Sequence, residues 1–286
     1  MTMSLSSLSP PVADRSVRSR PAMIGRGRHL VALMIRWLPA LLLIIGLLAL
    51  WEWAGQAGRL PISVPAPSAI GTEFSDSRDM LWFHTAPTLS AAAKGFVAAA
   101  VSAFVLGMVV AFRPRLAGPV YQTSVIVSSV PLVALTPVLV LWLDRGDTVR
   151  TTVAALAGFF PILVGCVQGF GARDSGREEL FLVLSAGTWQ RFTSLTLPSS
   201  LPYVFAGLKA AAASAVLGAI IAEWSGGGGT RGLGQMMTNA LFGFNVPRTW
   251  LTIATAAFLA VGAYAIVATA ERLVVRWDHD TAGVER

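Results

Sequence analysis

The chain has 286 residues, of which 54% are hydrophobic and 13% charged, with a mean hydropathy of +0.64. Soluble domains carry about 25% charged residues, so this composition excludes an ordinary soluble domain and makes the chain a membrane protein. The formal net charge of +7 does not make it a nucleic-acid binder, because the basic residues fall in short segments between apolar runs and are not interleaved with aromatics on one surface.

Residues 1–33 read as a cytoplasmic basic tail. Met1 to Met23 is rich in Ser, Pro and Arg, lacks a hydrophobic run and is expected to be disordered. It is no secretory signal, since the apolar segment that follows lacks a small-residue cleavage site and continues too long. Six apolar runs long enough to span a bilayer as helices follow, at about 34–54, 88–112, 118–143, 149–170, 203–224 and 249–272. Arg15, Arg18, Arg20, Arg26, Arg28 and Arg36 precede or open the first run, whereas the next loop mixes Glu52, Arg59, Glu73, Asp76, Arg78 and Asp79. The positive-inside rule then puts both termini in the cytoplasm, with Arg113, Arg115, Arg272 and Arg276 inside and Asp144, Arg145, Asp147 and Arg150 outside. The membrane domain is taken as 34–276, with a loop at 171–202 and a short tail at 277–286.

Prolines extend the outside segment Leu60 to Ser68. In the second run Lys94 is expected to snorkel to the surface, and Gly95, Ala99, Ser102 and Gly107 to let helices approach closely. The third run carries Pro131 and Pro137. As interruptions inside a spanning helix they bend it, either as a packing kink or to shape a translocation pathway. The only cysteine, Cys166, can form neither an intrachain disulfide nor a multi-cysteine metal site and reads as a small buried hydrophobe.

Between the fourth and fifth runs lies a polar interruption, Arg177 to Pro202. Asp174, Ser175 and Gly176 can start a helix in which Leu180, Leu184 and Ala186 or Gly187 share a face. A second short helix around Trp189 to Leu195 is expected to stop at Pro198 and Pro202. The spacing Glu179-Leu180-Phe181, Ser185, Leu195, Leu197-Pro198 resembles the cytoplasmic loop motif of the membrane subunits of binding-protein-dependent ABC transporters. That motif reads Glu-Ala-Ala, three residues, Gly, nine residues, Ile-x-Leu-Pro. Here Leu180 and Phe181 replace the alanines and Ser185 the glycine, with Gly187 two residues later. The run Leu201 to Lys209 resembles the sulfonate, taurine and nitrate branch of that family, and the likeness extends from about Leu41 onward.

The resemblance implies a type I importer-like, all-α membrane fold in which Glu179, Leu180, Phe181, Leu184, Ser185, Ala186, Gly187, Leu195, Leu197 and Pro198 couple to an ATPase subunit. It also implies two copies around the pore, two ATPase subunits and a binding protein outside. In the family a Leu-Pro-x-Pro-Ser run stands where Leu60 to Ser68 stands here and leads into a short external helix.

Beyond the elbow, Glu223 ends a long apolar helix and is either a functional acid or a solvated interfacial one. Gly226 to Gly234 lacks the Lys-Ser/Thr ending and the preceding strand of a phosphate-binding loop, so it reads as a flexible external turn into a short helix or re-entrant segment, Leu233 to Leu241. His29, His84 and His279 stand far apart and make no metal set. No nucleophile with its base and no paired carboxylates stand in the runs, so catalysis is expected on another polypeptide and no cofactor on this one. The expected function is therefore an importer permease for a small solute, with an anion such as a sulfonate, taurine or nitrate implied by the branch. A stand-alone channel or ion-driven carrier is the alternative, although a carrier would place acids near the bilayer midplane.

Overall fold

In the computed structural model, residues 26–275 are described except 173–175, 177, 178, 180 and 182, with side chains from Leu38 onward. The expected tails at 1–25 and 276–286 lie outside these residues. Every regular element among them is helical. The chain divides by its contacts into Met1–Trp51 and Glu52–Arg286. The first unit contributes most of α1 (Arg26–Gln56), which starts well before the expected boundary at 34. The second holds the remaining elements.

Prolines open α2 (Pro67–Asp76), where the missing N–H costs nothing in the first turn. This is the short helix expected after the Leu-Pro run. Next comes α3 (Arg78–Phe112), which begins ten residues before the expected 88 and carries Pro87 inside it. A 3-10 turn (Pro114–Leu116) leads into α4 (Ala117–Ser128), α5 (Leu132–Leu143) and α6 (Asp147–Gly171). Then follow α7 (Thr188–Arg191), a π turn (Phe192–Thr196), α8 (Leu197–Trp224), α9 (Leu233–Phe242) and α10 (Val246–Val274). Five helical stretches are long and apolar enough to cross a membrane, and the pair α4 and α5 makes up to six.

Two expectations fail here, for local reasons. The run 118–143 is not one kinked helix but two helices meeting at 87°. Pro131 sits at the start of α5 with an extended ψ of 116°, and Val130 before it is steered away from the helical region. The hydroxyls of Ser128 and Ser129 both donate to the Val125 carbonyl, at 2.8 and 2.9 Å, which caps the end of α4. Pro137, by contrast, lies within α5. The second failure is at Pro198 and Pro202, which do not stop the chain's helix: Thr188–Trp224 runs on for 37 residues. The Leu197 N–H bonds back to the Phe192 carbonyl, five residues away. This wider turn moves the backbone carbonyls away from the Pro198 ring, which would clash in a regular helix, and Pro198 itself falls in the first turn of α8.

The bundle centres on α6 and α8, with α3 packed against both. Their contact needs small residues: a Cβ added at Gly207 would stand 2.6 Å from the Pro161 carbonyl, and one at Gly165 would stand 2.7 Å from that of Tyr203. Ala211, Ala215, Ala219 and Ala222 continue that face along α8 and are almost fully buried. Facing them are Ala91, Ala92, Ala99 and Ala103 of α3 and Ala154 of α6. Gly95 and Gly107 are buried in this seam as expected, whereas Ser102 is exposed and donates back to the Ala98 carbonyl at 2.7 Å. Cys166 is fully buried among apolar neighbours.

Candidate functional site

The elbow follows α6. Gly176, Glu179, Phe181 and Val183 are helical, while Asp174, Ser175 and Leu180 lie outside the described residues. That helix ends at Ser185, whose φ of +54° is left-handed, and the Ala186 N–H reaches back to the Phe181 carbonyl at 3.0 Å. This is the hydrogen bond of a Schellman end, in which the left-handed position is normally glycine. Leu184 and Ser185 form the turn, so Ala186 and Gly187 do not continue the helical face expected of them. Gly187 instead precedes α7 with an extended backbone.

The nine described residues of the ten in the motif divide by exposure. Glu179, Leu184, Ser185 and Gly187 are exposed, as is Val183 beside them, whereas Phe181 and Ala186 are half-buried. Leu195 is buried, and Leu197 and Pro198 are half-buried. Aromatic rings tie this inner part to the bundle. Phe192 lies 5.1 Å from Phe112 of α3 and 5.8 Å from Phe170 of α6, and Trp189 stacks on Phe112 at 6.2 Å with 9° between the rings. An apolar patch of Val183, Leu184 and Trp189, 64–80% exposed, is left at the tip.

At the other end of α8 the glycine-rich loop wraps around Glu223. That carboxylate is completely buried. It accepts from the Thr88 hydroxyl at 2.8 and 2.9 Å and from the Gly234 N–H at 2.9 Å, and Arg150 Nη1 lies 3.5 Å away. Thr88 accepts in turn from the Leu233 N–H at 2.9 Å. Gly232 precedes α9 and has no side chain to cap it, so Thr88 and Glu223, from two other helices, satisfy the first N–H groups of α9. An acid at a helix N-terminus is also favoured by the helix dipole. A Cβ at Gly232 would run into the Glu223 carboxylate, and its φ of +136° suits glycine alone.

Arg150 also donates to the Arg231 carbonyl at 3.0 Å and lies 3.6 Å from Asp147, which pairs with Lys94 at 2.8 Å. Lys94 is exposed, as expected of a snorkelling lysine, and it has a partner. The His84 ring meets the Gly232 backbone at 3.0–3.2 Å. Glu223 is thus not solvated. The sequence places Arg150 in an outside loop and His84 apart from any site, and gives no sign that Thr88 and His84 meet the Glu223 loop. Residues 88, 150 and 223 are too far apart for any spacing to join them. The available signal was an arginine three residues inside an apolar helix, which needs a partner.

Beside this network α2 is fixed at both ends. Glu52 accepts from the Ser68 N–H at 2.9 Å, and Arg248 of α10 donates to Glu73 at 2.7 Å. Burial pushes the Glu73 carboxyl upward, but bonds from the Ser77 hydroxyl and Arg248 outweigh it and hold the group below the usual carboxylate range. Trp250 Nε1 donates to the Ser63 carbonyl at 2.9 Å. A third feature is an apolar groove of about 340 Å³ where α4 breaks into α5, lined by Ser128, Val130, Leu132, Leu135, Phe160 and Val164 among others. Pro131 bounds the break, and Pro137 is not among the lining residues. Glu223 does not line it either.

A bundle of apolar helices with an exposed, apolar-tipped elbow and a broken helix beside a groove fits the class of transport permeases. Residues 103–278 match the family described as binding-protein-dependent transport system inner membrane component, and the chain belongs to it. It is similar to the riboflavin transport system permease protein RibX of Chloroflexus aurantiacus, at 31% identity over 81% of this chain and 87% of that one. It is also similar to the formylaminopyrimidine transport permease protein ThiX of Halalkalibacterium halodurans, at 29% identity over 81% and 92%. The putative aliphatic sulfonates transport permease protein SsuC of Bacillus subtilis is 25% identical over 96% of both chains. The protein is a multi-pass membrane permease component of the ABC importer family, in its sulfonate and nitrate branch.

Proposed function

We propose that this chain forms the translocation pathway of an ATP-driven importer. Two copies enclose the path, two ATP-binding subunits dock on the elbows from the cytoplasm, and a binding protein delivers a small solute from outside. Both termini are cytoplasmic, with residues 1–33 and 277–286 as tails of the 34–276 membrane domain. ATP hydrolysis occurs on the separate subunit.

The observation that supports this best is the continuity of the elbow with α8. Exposed Glu179, Leu184 and Ser185, with Val183 and Trp189, are available to a partner, while Phe192 and Leu195 are set into the bundle. A helix of 37 residues is about 55 Å long, so a push at the elbow is carried along α8 to the Glu223 network. In this reading Leu180, Phe181, Ala186 and Gly187 shape the docking turn, and Leu195, Leu197 and Pro198 transmit its movement. The path runs past the α4–α5 break.

For the solute, likeness to the sulfonate permease favours an organic or inorganic anion. A second reading, an uncharged nitrogen heterocycle, is favoured by the apolar groove with Phe160 and by the names of the two relatives with higher identity. Proteoliposomes holding this chain with a candidate ATPase and binding protein should take up that binding protein's ligand only with ATP on the elbow side. Uptake driven by an ion gradient without ATP would instead make the chain a secondary carrier.

A further inference from the structure

A separate pocket of about 190 Å³ lies at the elbow end, between the end of α3 and the turn leading into α8. It is lined by Phe112, Pro114, Thr188, Arg191, Leu195 and Thr196, with Ala111 and Phe192. Arg191 is half-buried, and its Nε is enclosed without a hydrogen-bond partner. Among the described residues no carboxylate lines the pocket and none pairs with Arg191. A buried donor left unmade costs about 1–3 kcal/mol, more when charged, and guanidinium is the side chain best shaped to receive tetrahedral oxyanions. Thr188 and Thr196 line the same space, and exposed Arg113 and Arg115 flank Pro114, so the local field also favours an anion.

We propose that this pocket binds a phosphate-class oxyanion, with Arg191 as its principal ligand, and that the occupant ties the elbow to the end of α3. The chemistry fits two sources: the headgroup of an anionic phospholipid and free inorganic phosphate. Placing the pocket at the cytoplasmic surface rests on the orientation given under the proposed function. An occupant there stiffens the joint that passes movement from the elbow to α8, so the pocket is a point of regulation as well as of binding.

The test uses the purified full chain as wild type, Arg191→Gln, Arg191→Lys and Arg115→Gln, each checked for a single size-exclusion peak. One arm titrates inorganic phosphate in neutral detergent by calorimetry. The other counts phosphatidylglycerol retained in native mass spectra after reconstitution in nanodiscs of phosphatidylcholine with phosphatidylglycerol. The expected result is saturable binding in at least one arm, weakened about tenfold or more by Arg191→Gln, only partly by Arg191→Lys and at most about twofold by Arg115→Gln, whose exposed charge acts only through the field. A phosphate heat that saturates identifies the free ion. Lipid retention without that heat identifies the headgroup. Equal binding by wild type and Arg191→Gln, or no binding by wild type in either arm, overturns the proposal. No ATPase is present, so that failure leaves the transport reading untouched, and a loss of ATP-driven uptake with binding retained counts against the transport reading alone.

Discussion

Ser185 holds a left-handed backbone at the exposed turn of the elbow, where a Cβ is a steric burden of about 1–2 kcal/mol. The serine stands where the family motif has glycine, and the Schellman bond from Ala186 shows why glycine suits the place. Ser185→Gly is expected to stabilise the turn by about 1 kcal/mol, seen as slower hydrogen exchange at the Ala186 amide. Unchanged exchange would mean the turn is held from elsewhere. Glu223 is the second residue with a large predicted effect. Removing its carboxylate takes a partner from Arg150, the Thr88 hydroxyl and the Gly234 N–H together, so Glu223→Ala should cost roughly 3–5 kcal/mol. Glu223→Gln keeps an acceptor for Gly234 and should cost less, about 1–3 kcal/mol. Thermal unfolding in detergent reads both; equal melting of Glu223→Ala and wild type would show the network to be dispensable.

Among the elements, the α4–α5 break shows what a sequence leaves open. Two prolines in an apolar run announce a bend, but its angle depends on Ser128 and Ser129 competing for one carbonyl and on the neighbours that cover the freed backbone groups. Pro131 and Pro137 then differ: the first marks the break and the second lies within a helix. Pro131→Ala is accordingly expected to lower uptake several-fold by allowing α4 and α5 to join, while Pro137→Ala has the smaller effect. Insertion and assembly should be unchanged in both. The opposite ranking in an uptake assay would place the pathway away from the break. At the elbow the same limit applied to Pro198, since a π turn leaves no trace in hydropathy or spacing. By contrast, α2, α9, the apolar spans and the buried Cys166 were legible, because composition and proline placement act locally. The Glu223 centre was legible only as one acid, since its other members come from α3, α6 and the glycine-rich loop.

For the whole molecule, the arginine asymmetry between loops predicts one orientation. Reporter fusions after Arg115 and Glu179 should report the cytoplasm, and those after Glu73, Asp147 and Arg231 the outside. A cytoplasmic signal at Arg231 would contradict this topology and move the elbow away from any ATPase. The central claim is that the elbow couples this chain to an ATPase subunit. As a purely structural helix-dipole residue, Glu179 would contribute only about 0.3–1 kcal/mol, and the exposed Ser185 could be enlarged with little consequence for a partner. The direct measurement is stimulated ATP hydrolysis by the complex of this chain with its candidate ATPase, for wild type, Glu179→Ala and Ser185→Arg, with co-purification scored in parallel. The account predicts reduced ATPase retention and stimulation for Glu179→Ala and near-complete loss for Ser185→Arg. If both variants hold and stimulate the ATPase as wild type does, the elbow is not the coupling site.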